Sequence, residues 1–81
     1  MRKKIVIGNW KMNMTREEAK SLLTIIKESA DVSQVDVGFA VPFIDLETAI
    51  NATQDSKIII GAQNVHSEPR GAYTGEISVE M

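Results

Sequence analysis

The chain has 81 residues, no cysteine and a formal net charge of −2. A chain this short buries only about 60% of its unfolded surface, and no disulfide or thiolate metal site can supplement the small core. The near-balanced charge gives no electrostatic reason to expect nucleic acid or an anionic membrane as partner. No apolar run approaches the ~20 residues of a membrane span or the roughly 7–15 of a secretory leader, so a soluble, cytoplasmic protein is expected.

The first predicted strand covers about Lys4 to Asn9, centred on Ile5-Val6-Ile7. An apolar centre on both faces suits a parallel strand covered on both sides. Alternation places Ile5, Ile7, Asn9 and Lys11 on one face, and Val6, Gly8 and Trp10 on the other. A helix follows from Thr15, where Thr15 and Glu18 have the spacing of a capping box. Ala19, Leu22, Leu23, Ile26 and Ala30 make its single apolar stripe, so it covers a sheet rather than being buried all round. It should end between Ser29 and Asp31.

A second strand is expected from Val35 to Val41 and is stopped by Pro42, which has no amide proton for a ladder. A shorter helix is expected from Phe43 to Ala52, with Phe43, Leu46, Ala49 and Ile50 on one side. Asp45 and Glu47 fall in its first turn, where the helix dipole favours negative charge. The third strand runs from Lys57 to Ala62. The next fourteen residues, Gln63 to Glu76, show neither helical period nor sustained alternation. A structureless loop of that length is usually functional or disordered. Ile77, Val79 and Met81 suggest that another element begins near the end of the sequence. The order strand-helix-strand-helix-strand-loop is that of βαβ units and a parallel sheet, an α/β fold.

Asn9 and Lys11 are the sharpest candidate site residues. They face the same way at the carboxyl end of a strand, where ligands bind in α/β proteins. A lysine ammonium there can hold a phosphate or stabilise charge developing on an oxygen. A solvated lysine and a turn asparagine would give the same pattern. Trp10, the only tryptophan, reads as packing between the strand and the first helix. Met12 and Met14 could fill the loop or contact a partner. His66, the only histidine, has no second His or Cys at metal-ligand spacing and reads as structural or solvated. No nucleophile-base-orienter set can be assembled. Gly71-Ala72-Tyr73-Thr74-Gly75 lacks the Gly-Lys-Ser/Thr ending of a P-loop, so its glycines more simply permit a tight excursion.

Three separated motifs resemble one family. Gly8-Asn9-Trp10-Lys11-Met12-Asn13 is similar to the first β-α loop of the triosephosphate isomerases. Gly61-Ala62-Gln63-Asn64-Val65-His66 and Gly71-Ala72-Tyr73-Thr74-Gly75-Glu76-Ile77-Ser78 resemble their third strand and third loop. Ala40-Val41-Pro42-Phe43 fits the end of their second strand. The resemblance implies a (β/α)8 TIM barrel that interconverts dihydroxyacetone phosphate and glyceraldehyde 3-phosphate through an enediolate, a step of glycolysis and gluconeogenesis. It implies no cofactor and no metal. Asn9 and Lys11 would bind the phosphorylated triose, with Lys11 supplying positive charge to catalysis. The third loop would be the main homodimer contact. Thr74 would sit at its tip with Tyr73, Gly75 and Glu76 beside it, and Met12 and Gln63 in the interface around it.

Such a barrel needs about 250 residues. Residues 1–81 would then be a single N-terminal segment, about one third of the barrel. The family's catalytic histidine and glutamate, its lid and its glycine-rich phosphate loops lie outside the matched motifs, and His66 is not that histidine. The chain alone is therefore expected to be inactive. Open sheet edges and an uncovered apolar face should leave it poorly folded, or drive it to pair with copies of itself or with the missing barrel segment. The alternative is a non-enzymatic association fragment that pairs through the Gly71–Glu76 loop. A weaker one is a small flavodoxin-like phosphate-binding domain, although the first loop is not glycine-rich.

Overall fold

The three strands lie side by side in one parallel sheet. The computed structural model describes residues 2–81. Strands β1 (Lys4–Asn9), β2 (Val35–Val41) and β3 (Ile59–Ala62) pair in the order β1-β2-β3. The register matches Asn9 with Ala40 and Ala40 with Gly61, which brings the carboxyl ends of all three strands level. Helices α1 (Arg16–Ser29) and α2 (Leu46–Ala52) make the connections, as expected for parallel neighbours.

Helix α1 forms as its sequence dictates. Thr15 has an extended backbone and accepts the Glu18 amide at 3.2 Å, and the Glu18 carboxylate accepts the Thr15 amide at 3.0 Å. This is the complete capping box. Hydrogen bonding to Thr15, its backbone amide first and its side chain second, holds the Glu18 carboxyl below its ordinary range. Ala19 and Leu23 of the apolar stripe are fully buried, and Leu22 and Ile26 are half-buried beside them. Ala30 is exposed, because it serves as the C-cap, donating its N–H to the Ile26 carbonyl at 2.8 Å.

The core is small. Trp10, Ala19, Leu23, Val41 and Ala49 are its buried apolar residues, flanked by Phe39 of β2 and Ile60 of β3. Trp10 packs between sheet and helix, its ring centroid 5.9 Å from that of Phe39. The core takes no side chain from β1 itself. Ile5, Val6 and Ile7 are each more than half exposed, so the covered strand expected on both faces is not found. The reason is position: β1 is an edge strand, the helix-side core lies over β2 and β3, and among the described residues no element covers the face of Ile5 and Ile7. The radius of gyration is 14.0 Å, against about 12 Å for a compact domain of this length. The molecule is an open slab with one finished face.

Two expected elements differ in detail. The segment Phe43–Ala52 is not one helix. Phe43–Asp45 is a 3₁₀ turn, and α2 begins only at Leu46. The tighter turn shifts the phase of the side chains. Leu46 and Ala49 turn inward while Phe43 and Ile50 are exposed. Asp45 is not a solvated first-turn carboxylate but is fully buried, with no side-chain capping bond. The third strand is shorter than expected, because Lys57 and Ile58 precede the first pair, Gly38 with Ile59, and the Ile58 amide bonds to the Ser56 hydroxyl at 3.2 Å.

The residues after β3 are not structureless. His66 and Ser78 form a bridge, with the His66 amide donating to the Ile77 carbonyl at 2.8 Å. The Tyr73 ring lies on the His66 imidazole at 4.2 Å between centroids. Arg70 and Glu80 pair at 3.2 Å across the base. Ile77, Val79 and Met81 do not start a regular element. Among the described residues no helix is long and apolar enough to cross a membrane.

Candidate functional site

The loop after β1 is shaped by its own side chains. The Trp10 amide donates to the Ala40 carbonyl at 3.1 Å, extending the ladder one residue beyond the strand. The chain then leaves the sheet. The side-chain carbonyl of Asn9 accepts the Lys11 amide at 2.8 Å, and the Asn13 side chain donates to the Trp10 carbonyl at 2.8 Å. These short polar links between neighbours are what let asparagine hold a turn. Lys11 and Met14 have left-handed backbones, with φ of +57° and +83°. A non-glycine residue held there costs about 1–2 kcal/mol, which the surrounding bonds must offset.

Gln63, the first residue after β3, closes the arrangement. Its amide nitrogen lies 2.8 Å from the Lys11 carbonyl, 3.2 Å from the Ala40 carbonyl and 3.4 Å from the Asn9 side-chain oxygen. Three acceptors around one group require the nitrogen there and not the oxygen. One side chain thus ties together the carboxyl ends of all three strands. The Lys11 ammonium is exposed and makes no ion pair among the described residues. The site is a free cation on a backbone fixed by two amides, a set of donors suited to an anionic ligand.

The other sequence candidates sit apart from this cluster. Met12 projects into solvent, 96% exposed. Tyr73 to Glu76 form a turn, closed by the Glu76 amide donating to the Tyr73 carbonyl at 3.0 Å. Gly75 in that turn has φ of +89°. Thr74 is exposed at the tip, and none of the four bonds to Asn9, Lys11 or Gln63. His66 lies inside the loop, packed on Tyr73, and its Nε2 is buried without a hydrogen-bond partner. Among the described residues, no three His, Asp or Glu side chains gather as metal ligands.

The structure adds two features that the sequence reading did not reach. The first is the reach of Gln63 toward Lys11. Continuing the alternation Ile59-Gly61-Gln63 through the register puts it on the face of Asn9, so the signal lay in strand pairing. The second is Asp45, whose two carboxylate oxygens are buried without partners. Burial pushes its carboxyl above the usual aspartate range, while nearby Arg16 pulls it down and Glu18 pushes it up. Nothing in its neighbours along the chain distinguishes it from a solvated helix-start aspartate.

The family model described as Triosephosphate isomerase matches residues 4–81. The chain belongs to the triosephosphate isomerase family. It is 47% identical over 81 residues to the triosephosphate isomerase of Mycoplasma capricolum subsp. capricolum strain California kid, covering 100% of this chain and 32% of that protein. To the triosephosphate isomerase of Alkaliphilus metalliredigens strain QYMF it is 48% identical over 81 residues, covering 100% of this chain and 33% of the relative. The chain therefore spans about a third of the length of the curated relatives it matches. Within the family's (β/α)8 architecture, three parallel strands alternating with two helices are a partial barrel.

Proposed function

We propose that this chain is the N-terminal segment of a triose-phosphate isomerase and carries the substrate-holding corner of its active site. The observation that carries the reading is the convergence of Asn9, Lys11 and Gln63 at the level carboxyl ends of the three strands. In a barrel of this class that end is where reacting groups gather. The exposed Lys11 ammonium would bind the phosphate of dihydroxyacetone phosphate or glyceraldehyde 3-phosphate and stabilise the enediolate formed between them. Asn9 would hydrogen-bond the same ligand while keeping the loop in shape. No cofactor or metal enters this reading. A cytoplasmic site of action is part of it, in keeping with a sequence free of cysteine.

Proton transfer needs an acid and a base beyond these residues, so the chain alone is read as inactive. Its partner is the remaining two thirds of a barrel, and the homodimer contact is the third loop, with Thr74 at its tip, Tyr73, Gly75 and Glu76 beside it, and Met12 and Gln63 in the interface around it. The test is to assay the purified chain alone and mixed with the remaining two thirds of a relative's barrel. Isomerisation in the mixture only supports the reading, and turnover by the chain alone contradicts its inactivity.

A second reading is favoured by the exposed apolar side chains. Ile5, Ile7 and Ile59 share the uncovered face, and the folded third loop offers an ordered tip. A non-enzymatic fragment that pairs through Gly71–Glu76 would use both. A mass measurement in solution separates the two. A monomer whose state is unchanged by Thr74→Arg counts against pairing.

A further inference from the structure

We propose that Gln63 is a positioning residue for Lys11. Its amide keeps the Lys11 backbone left-handed and so fixes where the lysine side chain leaves the loop. The proposal rests on the reading of Lys11 as the residue that meets the substrate.

The geometry carries it. Lys11 sits at φ +57° without the freedom of glycine. Its amide is already committed to Asn9, but that bond closes a local turn and comes from the same loop. Among the described residues the only bond to the Lys11 carbonyl is the one from Gln63, 52 residues away, and it is the shortest of the three that Gln63 makes. Gln63 is exposed, so packing does not dictate its conformation. Its other contact, the Ala40 carbonyl, anchors the amide to β2. The arrangement is a strut from a rigid strand end to a strained residue, the kind of support a functional side chain needs to stay in place. The side chain has to be of this length and has to donate. Asparagine is one methylene shorter, and a glutamate carboxylate would set oxygen against three oxygens.

The test uses the isotope-labelled 81-residue chain and solution NMR. Backbone chemical shifts and the HN–Hα coupling report the left-handed conformation of Lys11. Gln63→Met keeps the length and removes the donor, and is expected to abolish the left-handed signature while the Trp10 indole and α1 signals stay in place. Gln63→Glu adds a check that simple destabilisation does not imitate. Its carboxylate has no proton to donate, whereas its carboxyl form does. The Lys11 signature should be absent at neutral pH and return as pH falls through the carboxylate range, near about 4.3. A left-handed Lys11 that survives in Gln63→Met, one unaffected by pH in Gln63→Glu, or none in the unsubstituted chain overturns the proposal. A lost signature together with full isomerase activity of Lys11→Met in the mixture is a different outcome. It leaves the strut standing and overturns the reading of Lys11.

Discussion

The side-chain oxygen of Asn9 accepts the Lys11 amide at 2.8 Å, so the residue two positions before the cation builds the turn that carries it. Asn9 thus holds the loop, and the proposed function gives it a second, separable task of meeting a ligand. Asn9→Asp keeps an acceptor for the Lys11 amide but places a negative charge where an anionic ligand would sit. The expected result is a retained loop and a KM for triose phosphate raised by about tenfold or more in the complemented enzyme, as about 1.4 kcal/mol of lost binding gives. Steady-state kinetics on the mixture check it.

Asp45 should make stability depend on pH in an unusual sense. Its native carboxyl is pushed up by burial, so the folded chain binds this proton more readily than the unfolded one. The contribution of this group is fully present below the unfolded aspartate value, near about 3.9, and is lost as pH rises through the raised native value. Glu18 and Asp31 act oppositely. Both are held low by hydrogen bonds, from Thr15 and from Ser33, and their contributions fade as pH falls. Asp45→Asn isolates the first effect. Urea midpoints measured across pH should show the substituted chain gaining on the parent as pH rises toward neutrality. Parallel profiles would remove Asp45 as the source.

Thr15→Ala removes the hydroxyl that accepts the Glu18 amide. Loss of an N-cap costs about 1 kcal/mol. The helix and its neighbours are the finished part of the molecule, so the whole transition should shift and not only the first turn. Circular dichroism during urea unfolding measures it.

Gly71 has φ of +142°, and an added Cβ would lie 2.9 Å from the Tyr73 ring. Gly71→Ala should therefore displace Tyr73 from His66 and loosen the third loop while leaving the sheet intact. Backbone amide exchange would rise in residues 66–78 and stay unchanged in β2.

Sequence pattern conveyed the strands and helices well where a single local rule governs them. The capping box at Thr15 and the proline after Val41 mark boundaries without tertiary context, and both stand in the structure. The failures arise where neighbours decide. Ile5, Val6 and Ile7 look like a buried strand because they are apolar on both faces, but β1 is an edge strand and each of them stays more than half exposed. Asp45 and Phe43 exchange their expected environments because one 3₁₀ turn changes the phase of the segment. Of the candidate site residues, Asn9 ends β1 as alternation predicts, whereas Lys11 lies beyond the strand with a left-handed backbone that alternation does not describe. The reach of Gln63 was not legible, because its role depends on the register of two other strands.

The central claim is that the Lys11 ammonium holds an anionic substrate at the carboxyl ends of these strands. The direct measurement is triose phosphate isomerisation by this chain mixed with the remaining two thirds of a relative's barrel, with Lys11→Met in parallel. Mass measurement confirms equal complex formation. Removing one group that stabilises developing negative charge costs about 10²–10³-fold in rate. A loss of at least about a hundredfold for Lys11→Met, in a complex of the same mass and abundance, is the predicted result. Equal rates for the two complexes would contradict the claim.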